Sequence, residues 1–319
     1  MPNPTTNTLT SLDGMNGLTV FGLATFDNAG QAVSDAGDVN GDGFSDFLLG
    51  APTASGDVSG SGAAYVVFGR AAGFASDLNL TSLDGSNGFR LLGADAGDAT
   101  GKSLRGIGDF NGDGVADLIV GSQNFGPAQP PGAAYVVFGS RDPFPAQMSL
   151  DVLASGNGFR LEGAAPLDAA GYSVGEAGDI NGDGLDDLVI GARSADPGGS
   201  NGAGSSYVVF GRAPPPAATL NLSGLDGNNG FKLSGFGAGS NAGAAVRGAG
   251  DVNGDGFDDL LIGAPYASVA GGGPSGAAFL IFGKKGGFGS NVDLEALDGS
   301  PDGHPNSPVC GHLKLPHLN

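Results

Sequence analysis

Residues 38–46 read Asp-Val-Asn-Gly-Asp-Gly-Phe-Ser-Asp, and the pattern returns three more times. It stands at 109–117 as Asp-Phe-Asn-Gly-Asp-Gly-Val-Ala-Asp, at 179–187 as Asp-Ile-Asn-Gly-Asp-Gly-Leu-Asp-Asp, and at 251–259 as Asp-Val-Asn-Gly-Asp-Gly-Phe-Asp-Asp. Successive first aspartates lie 71, 70 and 72 residues apart. A fixed period of this length marks a chain assembled from copies of one supersecondary unit, each too small to bury its own apolar faces.

The flanking sequence keeps the same phase. Each loop is followed by a short apolar run ending in glycine: FLLG, LIVG, LVIG and LLIG. Next come AAYVVFG (63–69 and 133–139), SSYVVFG (205–211) and AAFLIFG (277–283). A turn and a further strand follow in NGFRLLG (87–93), NGFRLEG (157–163) and NGFKLSG (229–235), and NGLTVFG (16–22) is an earlier copy. Segments such as KSLRGIG (102–108) and AAVRGAG (244–250) lead into the next Asp loop. β-branched and aromatic runs bounded by Gly, Asn and Asp are strands and turns. Each unit therefore holds four strands in the order NGF, pre-loop, post-loop, VVFG. A lone four-stranded sheet leaves both faces bare, and radial stacking of blades covers them. The continuous apolar runs suit strands buried on both sides.

The expected fold is all-β: a β-propeller of four-stranded antiparallel blades, four in this chain, either complete or part of a larger ring. The domain is expected over 9–300, with repeats at about 16–69, 87–139, 157–211 and 229–283. Placing Gly17–Gly22 beside the last blade would close the ring within the chain; otherwise the four units belong to a larger ring. VDLEALDGS (292–300) opens a fifth copy that breaks off, and 301–319 is expected to be an aberrant, disordered tail. All three histidines (His304, His312, His317) and Cys310 fall there, where four prolines and the loss of repeat phase argue against a fixed metal geometry.

Composition narrows the partners. Glycine is 63 of 319 residues without a three-residue period, which excludes collagen and points to tight turns. Net charge is −20, from 33 acidic and 13 basic residues, so phosphate backbones are repelled and no nucleic-acid partner is expected. One cysteine excludes an intrachain disulfide. No apolar stretch is long enough for a membrane span, and the first residues lack the charge and apolar core of a signal peptide. The chain is thus expected either to stay inside or to be a piece of a larger exported one.

The nine-residue loop carries oxygen side chains at positions 1, 3, 5 and 9, and position 7 offers its backbone carbonyl. The expected ligands are Asp38, Asn40, Asp42, Phe44 and Asp46; Asp109, Asn111, Asp113, Val115 and Asp117; Asp179, Asn181, Asp183, Leu185 and Asp187; and Asp251, Asn253, Asp255, Phe257 and Asp259. Hard oxygen donors packed together suit Ca2+, about four ions in all, one per repeat. Three carboxylates in one tight loop repel each other strongly without a counter-charge, and no Lys or Arg lies inside any loop. An EF-hand shares the opening pattern but needs a glutamate at position 12, where this chain has Leu49, Val120, Ile190 and Ile262. Asp186 and Asp258, at position 8, are expected to face solvent.

DVNGDGFSDFLLGAP followed by YVVFG resembles the FG-GAP repeat of the integrin α-chain propeller, over about residues 16–283. GAP itself stands at 50–52 and 263–265, with GSQ (121–123) and GAR (191–193) in the other copies. The resemblance implies a propeller with calcium in loops on one face and ligand binding on the other, and the LDGxNGF spacing looks like bacterial exported repeat proteins. Integrin propellers have seven blades and this chain shows four, so integrin-type ligand binding is not carried over.

The function expected is a calcium-stabilised binding or adhesion scaffold, extracellular or at the cell surface, with a protein or glycan ligand of unknown identity. Loops 53–62, 123–132, 194–204 and 266–276 differ between copies and are where recognition belongs. A glycan module is the first alternative, though Trp is absent. A propeller hydrolase or lyase is the second; no His, no Cys and no nucleophile-elbow motif lies within the repeats, Glu162, Glu176 and Glu295 are singletons, and the chain is not expected to be an enzyme. Lys102, Arg105 and Arg247, on or near pre-loop strands, are expected to form ordinary salt bridges rather than line a working channel. Self-association to complete a ring is a further expected partner relation.

Overall fold

In the computed structural model, residues 12–55, 58–123, 130–154, 156–216, 218–268 and 273–297 are described, with the backbone of 310–311. Among them there is no α-helix. The chain begins with β1 (Thr19–Phe21). The first blade takes β2 (Ala32–Gly37), β3 (Asp46–Ala51) and β4 (Ala63–Val67), and a short β5 (Asp77–Asn79) precedes β6 (Gly88–Leu92). The second unit repeats this with β7 (Leu104–Gly108), β8 (Asp117–Ser122), β9 (Ala133–Val137), β10 (Gln147–Ser149) and β11 (Gly158–Glu162). The third has β12 (Ala170–Gly178), β13 (Asp187–Ala192), β14 (Ser205–Val209), β15 (Thr219–Asn221) and β16 (Gly230–Ser234). The fourth has β17 (Ala245–Gly250), β18 (Asp259–Ala264), β19 (Ala277–Ile281), β20 (Asn291–Asp293) and β21 (Cys310–Gly311).

Blade and sequence unit are offset by one strand. The NGF strand does not pair with the pre-loop strand that follows it; β6 lies antiparallel to β4, with Gly88 opposite Val67 and Phe89 opposite Val66. The first three sheets thus run pre-loop, post-loop, VVFG, and then the NGF strand of the next unit. A fifth strand that the four-strand reading lacks completes the outer edge. β10 pairs parallel with β6, β15 with β11, and β20 with β16. The segment after each VVFG strand therefore reaches back to the previous blade before forming its own outer strand. Its phenylalanine packs onto the NGF phenylalanine: Phe144 on Phe89 at 4.4 Å between centroids, Phe288 on Phe231 at 4.1 Å.

Closure of the ring by Gly17–Gly22 is overturned. β1 pairs only with β5, Thr19 opposite Asp77, and the outer place beside β19 is taken by Cys310–Gly311. The rest of the tail, with its histidines, lies outside the described residues.

Inner strands stack in succession, β2 on β7, β7 on β12 and β12 on β17. Core clusters fill the junctions: Leu48 and Phe89 with Leu118 and Val120, then Ile119 with Leu188 and Ile190, then Val189 with Leu260 and Ile262. The glycine ending each post-loop run has a steric reason. A Cβ on Gly121 would collide with the carbonyl oxygen of Gly171 in the next blade, and Gly50 and Gly191 meet Gly101 and Gly243 in the same way. Gly263, in the fourth blade, has nothing nearer than the Ala245 Cβ at 3.4 Å. Gly121→Ala should therefore destabilise the fold by about 1–3 kcal/mol through overpacking, while Gly224→Ala, at an exposed glycine with nothing within 4 Å, leaves it within about 0.5 kcal/mol. Denaturant unfolding of the two variants checks the contrast; equal losses would refute the blade contact.

Candidate metal centres

The four Asp loops join pre-loop to post-loop strands at one end of each sheet, β2 to β3, β7 to β8, β12 to β13 and β17 to β18. They fold alike. The position-1 carboxylate accepts from the backbone N–H groups inside the loop: Asp109 Oδ1 from Gly112 at 2.8 Å and Asp113 at 3.0 Å, Oδ2 from Gly114 at 2.8 Å. Asp38, Asp179 and Asp251 do the same. Position 3 accepts from position 5, as Asn111 Oδ1 does from Asp113 at 2.9 Å. Position 5 accepts from position 7, as Asp113 Oδ1 does from Val115 at 2.9 Å. In three loops the position-3 amide also donates to the position-5 carboxylate: Asn40 to Asp42, Asn181 to Asp183 and Asn253 to Asp255. These are short-range turn bonds that a polar side chain makes to its own loop.

Position 9 is different. Asp46, Asp117, Asp187 and Asp259 are buried. Each spans two segments. Asp187 Oδ2 accepts from Ile180 N–H at 3.1 Å, and its Oδ1 from Gly211 N–H at 2.8 Å. Asp117 joins Phe110 to Gly139, Asp46 joins Val39 to Gly69, and Asp259 joins Val252 to Gly283. The glycine of the FG pair is thus the donor that clamps the end of the third strand to the loop. The sequence shows this glycine but not its partner, which is 22 to 24 residues away. Burial pushes the carboxyls of Asp117 and Asp187 up to about 8 and that of Asp46 to about 6, against the backbone donors, and the loop's own aspartates push the same way.

Asp186 and Asp258 do not face solvent. Asp186 Oδ2 accepts from Asp109 N–H at 2.8 Å, and Asp258 Oδ2 from Asp179 N–H at 2.9 Å, so each position-8 side chain caps the loop of the preceding blade. Gly108, at φ +68°, makes room: a side chain there would strike the Asp186 carboxylate. Capping a neighbour's loop needs the two blades side by side, which local spacing does not reveal.

Among the described residues no three acidic, His or Cys side chains are grouped closely enough to hold an ion, because the loop carboxylates are turned onto backbone N–H groups. The donor set nevertheless fits a hard cation: all side-chain donors are oxygens, with no nitrogen or sulfur ligand, and none of the ion pairs among the described residues uses a loop carboxylate. Arg141 reaches the second loop but donates to the carbonyls of Asp113 and Gly114.

Of the charged residues expected to form ordinary bridges, Arg105 and Arg247 do so, while Lys102 donates to Gln123 Oε1 at 3.4 Å. Arg105 holds Asp35 and Glu176, each at 3.2 Å, and Arg247 holds Glu176 at 3.2 Å. Glu162 lies 3.9 Å from Arg160, Glu295 accepts from Gly237 N–H, and Lys102 sits over the Tyr172 ring.

Repeated four-stranded blades joined radially, each with an acidic loop at the same end, define a repeat β-propeller. The FG-GAP repeat family model matches residues 32–67, 106–137, 170–209 and 242–281, one match in each blade. The chain carries four FG-GAP repeats. It is similar to integrin alpha-PS5 of Drosophila melanogaster, 33% identical over half of this chain and 14% of that protein. It is also similar to integrin alpha-4 of Xenopus laevis, 30% identical over half of this chain and 14% of that protein. Phosphatidylinositol-glycan-specific phospholipase D of Bos taurus is 31% identical over 51% of the chain and 18% of that protein. The chain thus spans less than a fifth of the length of these relatives. No described helix is long and apolar enough to cross a membrane.

Proposed function

We propose that this chain is a calcium-stabilised binding or adhesion scaffold, working outside the cell or at its surface, and that it is not an enzyme. The observation that carries the reading is the fourfold loop: oxygen donors only, in one pattern, each with a buried position-9 carboxylate, and burial disfavours the charged form of Asp46, Asp117 and Asp187. Calcium held by positions 1, 3, 5 and 9 and the position-7 carbonyl would supply the missing positive charge and tie loop to FG turn. It does no chemistry there; its role is to hold the blade end. The repeats shared with integrin α chains support a scaffold, and the variable segments between second and third strands supply its recognition surface.

A glycan-binding reading has one observation in its favour. A groove of about 640 Å3 beside the second loop is lined by Asn111, Asp113, Arg141 and Asn157 on its polar side and by Phe144 and Val152 on its apolar side. Screening the calcium-loaded chain against glycan arrays and against extracellular-matrix proteins separates the two. Calcium-dependent capture of a protein with blank arrays is the expected result; saturable glycan binding lost in Arg141→Ala would replace it with the second reading. Turnover in a hydrolase or lyase panel would sink both.

A further inference from the structure

The three blade junctions repeat one set of contacts, and both end blades carry unused halves of that set. The post-loop glycine packs on a backbone carbonyl of the next blade in Gly50–Gly101, Gly121–Gly171 and Gly191–Gly243. The glycine ahead of each loop packs on the position-8 residue of the next blade: Gly37 on Ala116, Gly108 on Asp186, Gly178 on Asp258. The position-4 glycine meets position 7 of the next blade in Gly112–Leu185 and Gly182–Phe257. In the fourth blade the same three glycines are present, but Gly250 and Gly254 have nothing within 4 Å and Gly263 only its own strand neighbour. The first blade presents the facing half. Gly30, the counterpart of Gly101, also has nothing within 4 Å, and Phe44, at position 7, is 42% exposed.

Apolar residues repeat the message. Leu261 is 41% exposed where its counterparts Ile119 and Val189 are fully buried. Val33 is 69% exposed where Leu104, Val174 and Val246 are buried. Val33 also borders a groove with Leu18, Val20, Phe47 and Leu49.

Charge adds a parity. Along the inner strands the sign alternates from blade to blade: Asp35, Arg105, Glu176, Arg247. The two inner members are held from both sides, and their side chains are 19% and 30% exposed. The end members have one partner each; Asp35 is 79% and Arg247 56% exposed. One end of the stack is short of a cation, and the other is short of an anion. A ring with an odd number of such blades would set two like charges together, whereas an even ring never does.

We propose that two copies of this chain join head to tail, the fourth blade of each on the first blade of the other, into an eight-bladed ring. Arg247 of one copy then pairs with Asp35 of the second, Gly263 receives the Gly30 carbonyl, Gly254 receives Phe44, and Leu261 and Val33 are buried. β1 of the second copy takes the outer place beside β19, displacing the two-residue β21. The contact is heterologous, and it closes because both ends are used.

Light scattering coupled to size exclusion on the full chain tests this. A single species of twice the chain mass is expected. Arg247→Glu and Asp35→Arg should each run as folded monomers by circular dichroism, since like charges then face each other across the junction. Mixing the two variants should restore the double-mass species, because both junctions between the copies again join opposite charges. Gly263→Leu, which faces open space within one copy, should also give a folded monomer. A wild-type monomer, a dimer unmoved by these changes, a ladder of larger species or a mixture that stays monomeric would each overturn the proposal. A lysate or matrix partner failing to bind would not, since the junction does not depend on the scaffold's ligand.

Discussion

Stripping calcium from the protein should lower its melting temperature on the order of 20 °C. A site held at about 100 times its dissociation constant stabilises the folded state by about 2.7 kcal/mol, so four such sites contribute about 11 kcal/mol. A domain of this size shifts by about 2 °C per kcal/mol. The loops make a large effect physically reasonable. In each, three carboxylates share one short turn, and the position-9 member is buried among backbone donors; burial disfavours the charged form of Asp46, Asp117 and Asp187. Differential scanning calorimetry with calcium and with EGTA measures the shift, and Asp113→Ala should remove about one quarter of it. Position 5 is the residue to change, because Asp113 is exposed and its side chain accepts from Val115 N–H within its own loop. Position 9 would confound the test, because Asp117 also clamps Gly139. A melting curve that EGTA leaves unmoved would reduce all four loops to hydrogen-bonded turns.

Phe231→Ala should cost about 3–5 kcal/mol, close to 10 °C in melting temperature. Phe231 is fully buried in the junction of the third and fourth blades. Its ring stacks on Phe288 at 4.1 Å and meets Phe210 at 5.9 Å. Truncation would leave a cavity walled by two other rings and would loosen the strap that carries β20 back onto β16. The cost is in the range for truncating a fully buried phenylalanine. Phe26→Ala is the matched control, since that ring is 85% exposed and its removal should fall within about 0.5 kcal/mol. Comparable losses in the two variants would mean that the strap does not hold the blades.

Several features are legible in the chain itself. The four loops, the apolar runs and the VVFG strands are local patterns, and a tight turn or a two-residue alternation is dictated by neighbours in the chain. Others are hidden for a definite reason. A periodic chain reads the same whichever strand is taken as the start of a unit, so the pairing of β6 with β4 has no signature in spacing alone. β10, β15 and β20 are three-residue strands whose only partners lie in the preceding blade. Asp186 reads as a spare surface acid because its partner, Asp109 N–H, is 77 residues away.

The amino-acid order by itself determined the repeat, the strand content, the turn chemistry and the oxygen-rich loops, because each depends on residues within a few positions of one another. The tertiary structure alone decided which strands share a sheet, which glycines must stay glycine, and that charge alternates from blade to blade. Those depend on distances between blades, and the chain brings such groups together only after stacking has placed residues some 70 apart against each other.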